Sequence, residues 1–164
     1  VAVTVVDYDP SWPARFEELR AEYAGALAAA GVPVVGIEHV GSTSVPGMAA
    51  KPVIDVDIVV AGTEVAAAGD VLVDLGFRRL GDLGIPERWA FAEPARLART
   101  NTYVVVAGSE ALRNHLAVRD TLRADAGLRA EYSAVKKRVG PLAADVDDYL
   151  RLKSEVVARI LARS

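Results

Sequence analysis

The chain has 164 residues, 52% of them hydrophobic and 25% charged, with a formal net charge of −3 and no cysteine. That length suffices for one domain with a real core, and the mild acidity excludes bulk electrolyte binding to nucleic acid. Disulfides and thiolate metal sites are excluded too. The opening "VAVTVVDYDP" lacks the basic flank of a signal peptide and no apolar run approaches the ~18 residues of a membrane span, so the expected setting is cytoplasmic.

After an extended start, "PSWPARFEELRAEYAGALAAAG" predicts a helix, with Ser11 at its N-cap, Pro13 in its first turn and Gly31 as its stop. Phe16, Leu19, Tyr23 and Leu27 repeat at helical spacing and should face the core. "VVGIEHV" predicts a strand, a Gly/Ser/Pro loop follows, and "PVIDVDIVV" predicts a second strand. "TEVAAAGDVLVDLG" reads as a helix with Leu72 and Leu75 inward. "FRRL" and "RWAFAE" are short strands around the loop "GDLGIPE", and "TNTYVVVAG" is a strand of β-branched and aromatic residues. From Ser109, a cap, the chain turns helical: "SEALRNHLAVRDTLRAD", "AGLRAEYSAVKKRVG" and "DVDDYLRLKSEVVARILARS". Strands first and helices afterwards predict an α+β fold, a mixed sheet with flanking helices. The whole of 1–164 is read as one domain, with 109–164 its helical C-terminal portion.

The second strand carries the chemistry. In Val53-Ile54-Asp55-Val56-Asp57-Ile58-Val59-Val60 the even-numbered residues are all apolar and share one face, so Asp55 and Asp57 share the other. Two neighbouring carboxylates repel unless a cation sits between them, and Mg²⁺ prefers one or two carboxylates completed by water and substrate phosphates. Just upstream, Gly41, Ser42, Thr43 and Ser44 offer backbone N–H and hydroxyl donors, and a glycine lets backbone approach a ligand closely. Such a loop suits the terminal phosphates of a nucleotide, with Lys51 as an extra cation. Taken singly, a Gly-Ser-Thr-Ser loop is also an ordinary turn and an Asp-x-Asp pair is also a solvated edge. Their combination points to a site. Basic residues comprise 15 Arg and only 4 Lys, so a Lys retained here hints that a compact ammonium is wanted.

A Gly-Ser pair, about a dozen residues and then Asp-x-Asp on a strand resembles the signature of the nucleotidyltransferase superfamily, the DNA polymerase β-like fold. The longer string "HVGSTSVPGMAAKPVIDV" resembles the hallmark of the GrpB family within it. "YDPSWPARFEEL", "GIPERWAF", "HLAVRDTLRADAGLRAEYSAVKKRV" and "YLRLKSEVVARIL" extend the resemblance over nearly the whole chain. It implies that Gly41 and Ser42 hold a nucleoside triphosphate, that Asp55 and Asp57 bind Mg²⁺ or Mn²⁺, and that a nucleotidyl group moves to an acceptor with loss of pyrophosphate. Active members of the superfamily add a third carboxylate on a later strand. The corresponding strand here, "RTNTYVVV", presents Asn101 and Tyr103 instead. The expectation is therefore one metal escorted by the triphosphate, with His39, the nearest imidazole, as the acceptor's base.

His39 reads equally as a structural histidine that fixes the loop. His115, Arg119 and Arg123 fall at i, i+4 and i+8 on one helix. The resemblance places that stripe along the cleft, where it meets an anionic substrate; the alternative is a solvated helix face. Asp120 is expected to pair with one of those arginines, and Arg88 to contact substrate from a mobile loop. Lys136 and Lys153 are expected at the surface, and Trp12, Trp89 and Phe91 in the core. The partners implied are a nucleotide and a small-molecule acceptor. The leading expectation is a metal-dependent nucleotidyltransferase; the alternative is a non-catalytic nucleotide- or anion-binding module acting as an accessory protein, since domains resembling this one also occur fused to dephospho-CoA kinase.

Overall fold

The computed structural model describes residues 3–142, 154 and 157–162. Helix α1 spans Trp12–Ala29 and buries Trp12, Phe16, Leu19, Tyr23 and Leu27, the expected stripe. Ser11 stands at its N-cap but does not cap it through its side chain. Asp9 does the organising instead: its Oδ1 accepts from the Ser11 N–H at 2.8 Å and from the Ser11 hydroxyl at 2.7 Å. Gly31 ends the helix at φ 72°, a left-handed conformation that a side chain resists.

Five strands follow: β1 (Gly36–Val40), β2 (Ile54–Val60), β3 (Arg78–Gly81), β4 (Arg88–Ala92) and β5 (Thr100–Val106). They form one sheet in the order β1-β2-β5-β4-β3, with β2 and β5 parallel and the other neighbours antiparallel. Helix α2 (Val65–Asp74) links β2 to β3, while α3 (Glu110–Ala124) and α4 (Ala126–Val139) follow β5. The result is the expected α+β architecture. β5 is the central strand and β2 lies between it and the edge strand β1, so the aspartates sit on an inner strand of the sheet.

Alternation sorts β2 into two faces. Ile54, Val56, Ile58 and Val60 pack with α1, with Ala68, Val71 and Leu72 of α2, and with Phe77, Phe91 and Val104. Trp12 and Phe91 belong to this core and Trp89 packs against it, as expected. On the opposite face Val59 and Val105 pack beneath Ala111 and Leu112 of α3. Ser109 caps α3, its side-chain oxygen accepting from the Leu112 N–H. A third cluster joins Val45 and Met48 of the Gly/Ser/Pro segment to Leu122, Leu128, Tyr132 and Ile160. The C-terminal helices thus clamp the loop that the sequence singles out. Residues 157–162 are helical; Lys153 lies outside the described residues, as does most of the last predicted helix.

Lys136, expected at the surface, is 1% exposed. Its stem runs between α4 and the 45–50 segment, and its Nζ donates to the Ala49 carbonyl at 2.9 Å while lying 5.1 Å from the Tyr132 ring centroid. A long aliphatic stem with a cationic tip makes that placement possible.

One buried polar link ties α1 to the middle of the sheet: the Tyr23 hydroxyl shares a 2.8 Å hydrogen bond with Thr102 Oγ1. Tyr23→Phe should lower unfolding free energy by about 1–3 kcal/mol, because Thr102 is left with a stranded hydroxyl. Tyr23→Phe/Thr102→Val should recover most of that loss. Urea unfolding of the two variants measures both values; equal losses in both would show that the stranded Thr102 hydroxyl is not the source of the cost.

Candidate functional site

Asp55 and Asp57 lie side by side on β2, and register surrounds them with defined neighbours. Asp55 pairs with Val40 on one side and Asn101 on the other; Asp57 pairs with Glu38 and Tyr103. Paired residues of adjacent strands present side chains to the same face, so Glu38, Asn101 and Tyr103 share the aspartates' face. His39 does not. It pairs with Val56, which turns it to the apolar face, where its ring stacks on Phe16 at a centroid distance of 4.7 Å.

The expectation of His39 as the acceptor's base is therefore corrected. His39 Nε2 lies 2.9 Å from Thr43 Oγ1, and that hydroxyl donates to the Val53 carbonyl at 3.1 Å. With the hydroxyl proton committed to Val53, the imidazole donates from Nε2–H, and the chain of bonds ties the loop to the start of β2. Burial, reinforced by the Arg123 and Arg119 charges and opposed by Glu17, holds this imidazole down at about 4. It is a neutral structural histidine.

The loop is a short 3₁₀ turn, Ser42–Ser44, entered through Gly41 at φ 74°. A Cβ built on Gly41 would sit 2.2 Å from Asp55 Oδ2. Glycine is needed twice here, for the left-handed backbone and for the room it leaves the carboxylate. Thr43 and Ser44 are buried; Ser44 Oγ turns back onto the Gly41 carbonyl. Gly41, Ser42 and Thr43 line a cleft of about 540 Å³ with Lys51, Asp55, Asn101, Tyr103 and His115. Ser44 supports the turn from behind and is not on the cleft wall.

The two carboxylates are neutralised asymmetrically. Asp55 opens to the cleft and its Oδ1 accepts from Asn101 Nδ2 at 2.9 Å. Asp57 is 0% exposed, and its Oδ2 lies 2.6 Å from His115 Nδ1. Its other oxygen, Oδ1, is buried and makes no hydrogen bond in the described structure. His115 itself lines the cleft, so the ring nitrogen left to face a ligand is Nε2. Tyr103, on the cleft wall, is partly buried; desolvation first, then the Asp55 charge, push its phenol up to about 12. Among the described residues no group of three or more His, Cys, Asp or Glu side chains is arranged to hold a metal. The donor set on offer is the aspartate pair.

The helical stripe turns inward, but only its first residue reaches the cleft. Arg119 Nη1 donates to Glu38 Oε2 at 2.7 Å and its Nε to Asp120 at 2.9 Å, the pairing expected of Asp120. Arg123 Nε donates to the Ser44 carbonyl at 2.9 Å. Both arginines fasten α3 to the sheet and loop, which corrects their assignment as phosphate ligands. Arg88 is the first residue of β4 rather than part of a loop, and its guanidinium lies 4.5 Å above the Tyr103 ring, backing that wall. Sequence reasoning missed Asn114, Tyr132 and Lys136, all on the cleft wall. Asn114 precedes His115, and Tyr132 and Lys136 stand one helical turn apart, but only the folded C-terminal helices bring them to the site.

The five-stranded mixed sheet with its flanking helices has a nucleotidyltransferase-like fold. The chain belongs to the GrpB family, whose model, described as GrpB protein, matches residues 2–163. It is 38% identical over 165 residues to a UPF0157 protein of Streptomyces coelicolor, covering 96% of this chain and 82% of that one. A dephospho-CoA kinase of Mycolicibacterium paratuberculosis is 33% identical over 183 residues, covering 92% of this chain and 43% of the kinase. Among solved structures, the conserved protein GrpB from Enterococcus faecalis superposes with a TM-score of 0.85 at 24% identity, covering 98% of this chain and 96% of that one. The Cid1 poly(U) polymerase superposes with a TM-score of 0.57 at 16% identity, over 79% of this chain and 43% of that one. These likenesses establish the fold. No helix among the described residues is long and apolar enough to cross a membrane.

Two outcomes follow from this geometry. Because the His39 pKa is depressed, its contribution to stability is complete above the unfolded value near 6.5 and is lost as pH falls toward 4. His39→Gln should flatten that part of the stability–pH curve, a difference on the order of 5 °C in melting temperature at pH 4.5; parallel curves for variant and wild type would count against a buried neutral imidazole. Gly41→Ala should be much more damaging than an ordinary loop substitution. It should displace Asp55 and lower the melting temperature, whereas Gly84→Ala, in open space at a similar positive φ, registers the backbone strain alone.

Proposed function

We propose that this chain is a metal-dependent nucleotidyltransferase that moves a nucleotidyl group from an NTP to a small-molecule acceptor. The observation that carries the proposal is the close fit of Gly41 against the Asp55 carboxylate at the mouth of the cleft, with buried Asp57 beside it. The donor set suits Mg²⁺ or Mn²⁺: two carboxylates on one face, one of them with a buried oxygen lacking a hydrogen bond. Asp55 and Asp57 would hold the cation with the triphosphate oxygens, and the cation would neutralise the charge that builds on the phosphates.

Gly41 and Ser42 take the phosphate tail through a backbone N–H and a hydroxyl at the turn. Asn101 holds Asp55 by Oδ1, and Oδ2 lies toward Gly41. His115, oriented by Asp57 through Nδ1, presents Nε2 to the acceptor hydroxyl, the place that sequence reasoning gave to His39. The acceptor oxygen bonds to the α-phosphorus, the bond from that phosphorus to the bridging oxygen breaks, and pyrophosphate leaves with the electron pair. The hydroxyl proton passes toward His115.

A second reading has its own support. Asn101 and Tyr103 occupy the β5 positions beside the two acids, and without a third carboxylate the same cleft would serve as a nucleotide-binding module without turnover. The kinase relative, of which this chain matches less than half, is consistent with an accessory role.

Calorimetry with each of ATP, GTP, CTP and UTP, with and without Mg²⁺, tests binding, and pyrophosphate release in a pool of small metabolites tests turnover. Asp55→Asn and Asp57→Asn should each weaken Mg²⁺-dependent nucleotide binding at least tenfold, with the fold retained by circular dichroism. Unchanged affinity in both variants would remove the metal role. Tight binding with no pyrophosphate would select the binding module.

A further inference from the structure

Two buried side-chain polar atoms of the described residues have no hydrogen-bond partner, Asp57 Oδ1 and Arg88 Nε. They belong to groups of opposite charge on the same face of the sheet. Arg88 pairs with Val105, and alternation along β5 gives Val105 the face of Tyr103, which pairs with Asp57. The Arg88 guanidinium lies over the Tyr103 ring, 4.5 Å from its centroid. Asp57 and Arg88 do not satisfy each other: Asp57 is bonded to His115, and Tyr103 stands on the strand between them. Three arginines among the described residues are half-buried, Arg88, Arg119 and Arg129. Arg119 donates to Glu38 and Asp120, and Arg129 to the Leu122 and Arg123 carbonyls. Arg88 enters none of the ion pairs of the described residues. Leaving a charged donor buried without an acceptor costs stability. Stacking on a ring occupies the flat face of a guanidinium and leaves its N–H edge for an oxyanion, which the planar fork matches in shape.

Sheet order separates Arg88 from the Gly41 turn. The turn follows β1, on one side of β2, whereas β4 lies beyond β5 on the other. At the usual strand spacing β4 is about 10 Å from β2, so the aspartates stand between the two. We propose that Arg88, stacked on Tyr103, binds an oxyanion of the acceptor, a phosphate or a carboxylate, at the β4 flank of the cleft. The proposal rests on the nucleotidyltransferase reading and names its second substrate by class. The acceptor's anionic group sits on the guanidinium, and its hydroxyl reaches past Tyr103 to His115, whose ring centroid is 6.1 Å from that of Tyr103. The nucleotide phosphates stay with Gly41, Ser42 and the aspartate pair. One set of ligands then answers both orphaned atoms: a cation meets Asp57 and an anion meets Arg88.

The test uses inorganic phosphate and acetate as separate probes, titrated into the full chain at low ionic strength with EDTA and followed by amide chemical shifts. Both anions should perturb the amides of Arg88, Ala90 and Tyr103, and the tighter of the two identifies the head group. Arg88→Gln should weaken that binding at least tenfold. Arg88→Lys keeps the charge but not the fork, so it should weaken binding by less, and it serves should the glutamine variant fail to fold. Anion affinity that is undetectable in the wild type, shifts confined to the Ser42–Ser44 turn, or equal affinity in wild type and a folded Arg88 variant overturns the site. Calorimetry with Mg²⁺ and a non-hydrolysable NTP separates the assignments. Arg88→Gln should keep wild-type nucleotide affinity; loss of it in step with phosphate binding would assign the guanidinium to the triphosphate and overturn the acceptor role. Asp55→Asn should keep phosphate and acetate affinity while losing nucleotide. Anion binding that follows Arg88 in a chain with no affinity for nucleotide would leave the anion site standing and overturn the nucleotidyltransferase reading alone.

Discussion

Two carboxylates on one face of a central strand are the constraint around which this structure is built. Asp57 is completely removed from solvent, and an unpaired buried charge is among the most destabilising features a fold can carry. The surroundings answer it element by element. Helix α3 brings His115 to Asp57, β5 brings Asn101 to Asp55, and the loop before β2 leaves out a side chain at Gly41 so that Asp55 has room. The same helix brings Arg119 to Glu38, the third carboxylate on that face. Packing of α3 on the sheet is thus electrostatic at its middle and apolar at its start, where Ala111 and Leu112 meet Val59 and Val105.

That arrangement explains which parts of the site were legible in the sequence. Period-two alternation in β2 was enough to place both aspartates together, because Ile54, Val56, Ile58 and Val60 leave no other choice of inner face. The Gly-Ser loop was legible from composition and the helices from their apolar spacing. The partners were not. His39 is one residue from the loop, and its exclusion depends on its pairing with Val56 rather than with an aspartate. A register shift of one residue would have put it on the other face, and register is a property of the assembled sheet. For the same reason the stripe His115, Arg119, Arg123 was recognised as a unit while its division of labour was not. All three face the sheet, but they meet different groups along it: an aspartate, a glutamate and a carbonyl.

Lys136 shows a different limit. Its position on α4 gives no periodic signal for burial, since a lysine among Lys137 and Arg138 reads as part of a solvated surface. Burial comes from the packing of α4 against Val45 and Met48, which closes over the lysine stem. The Gly/Ser/Pro segment therefore has two tasks. Its first half shapes the turn at the aspartates, and its second half anchors the helices that form the opposite side of the cleft. A loop that only bound phosphate would not need Val45 and Met48 fully buried.

The two aspartates, identical in the sequence pattern, become unequal in the structure, and this bears directly on what the cleft can do. Asp55 faces the cleft, keeps Asn101 on one oxygen and turns the other toward Gly41. Asp57 lies deeper, with one oxygen committed to His115 and the other enclosed without a donor. A pair this uneven does not present the symmetric set of acids that a two-cation site requires. On the proposed reading it would hold one cation reached from the cleft side, with the ligand's own phosphates completing the coordination. Neutral Asn101 and the phenol of Tyr103, held protonated far above neutral pH by burial, add no further charge from β5. The imidazole of His115 is fixed by the deeper aspartate. One acid faces the cleft and the other holds the histidine, so a repulsive pair on one strand is neutralised by two different partners.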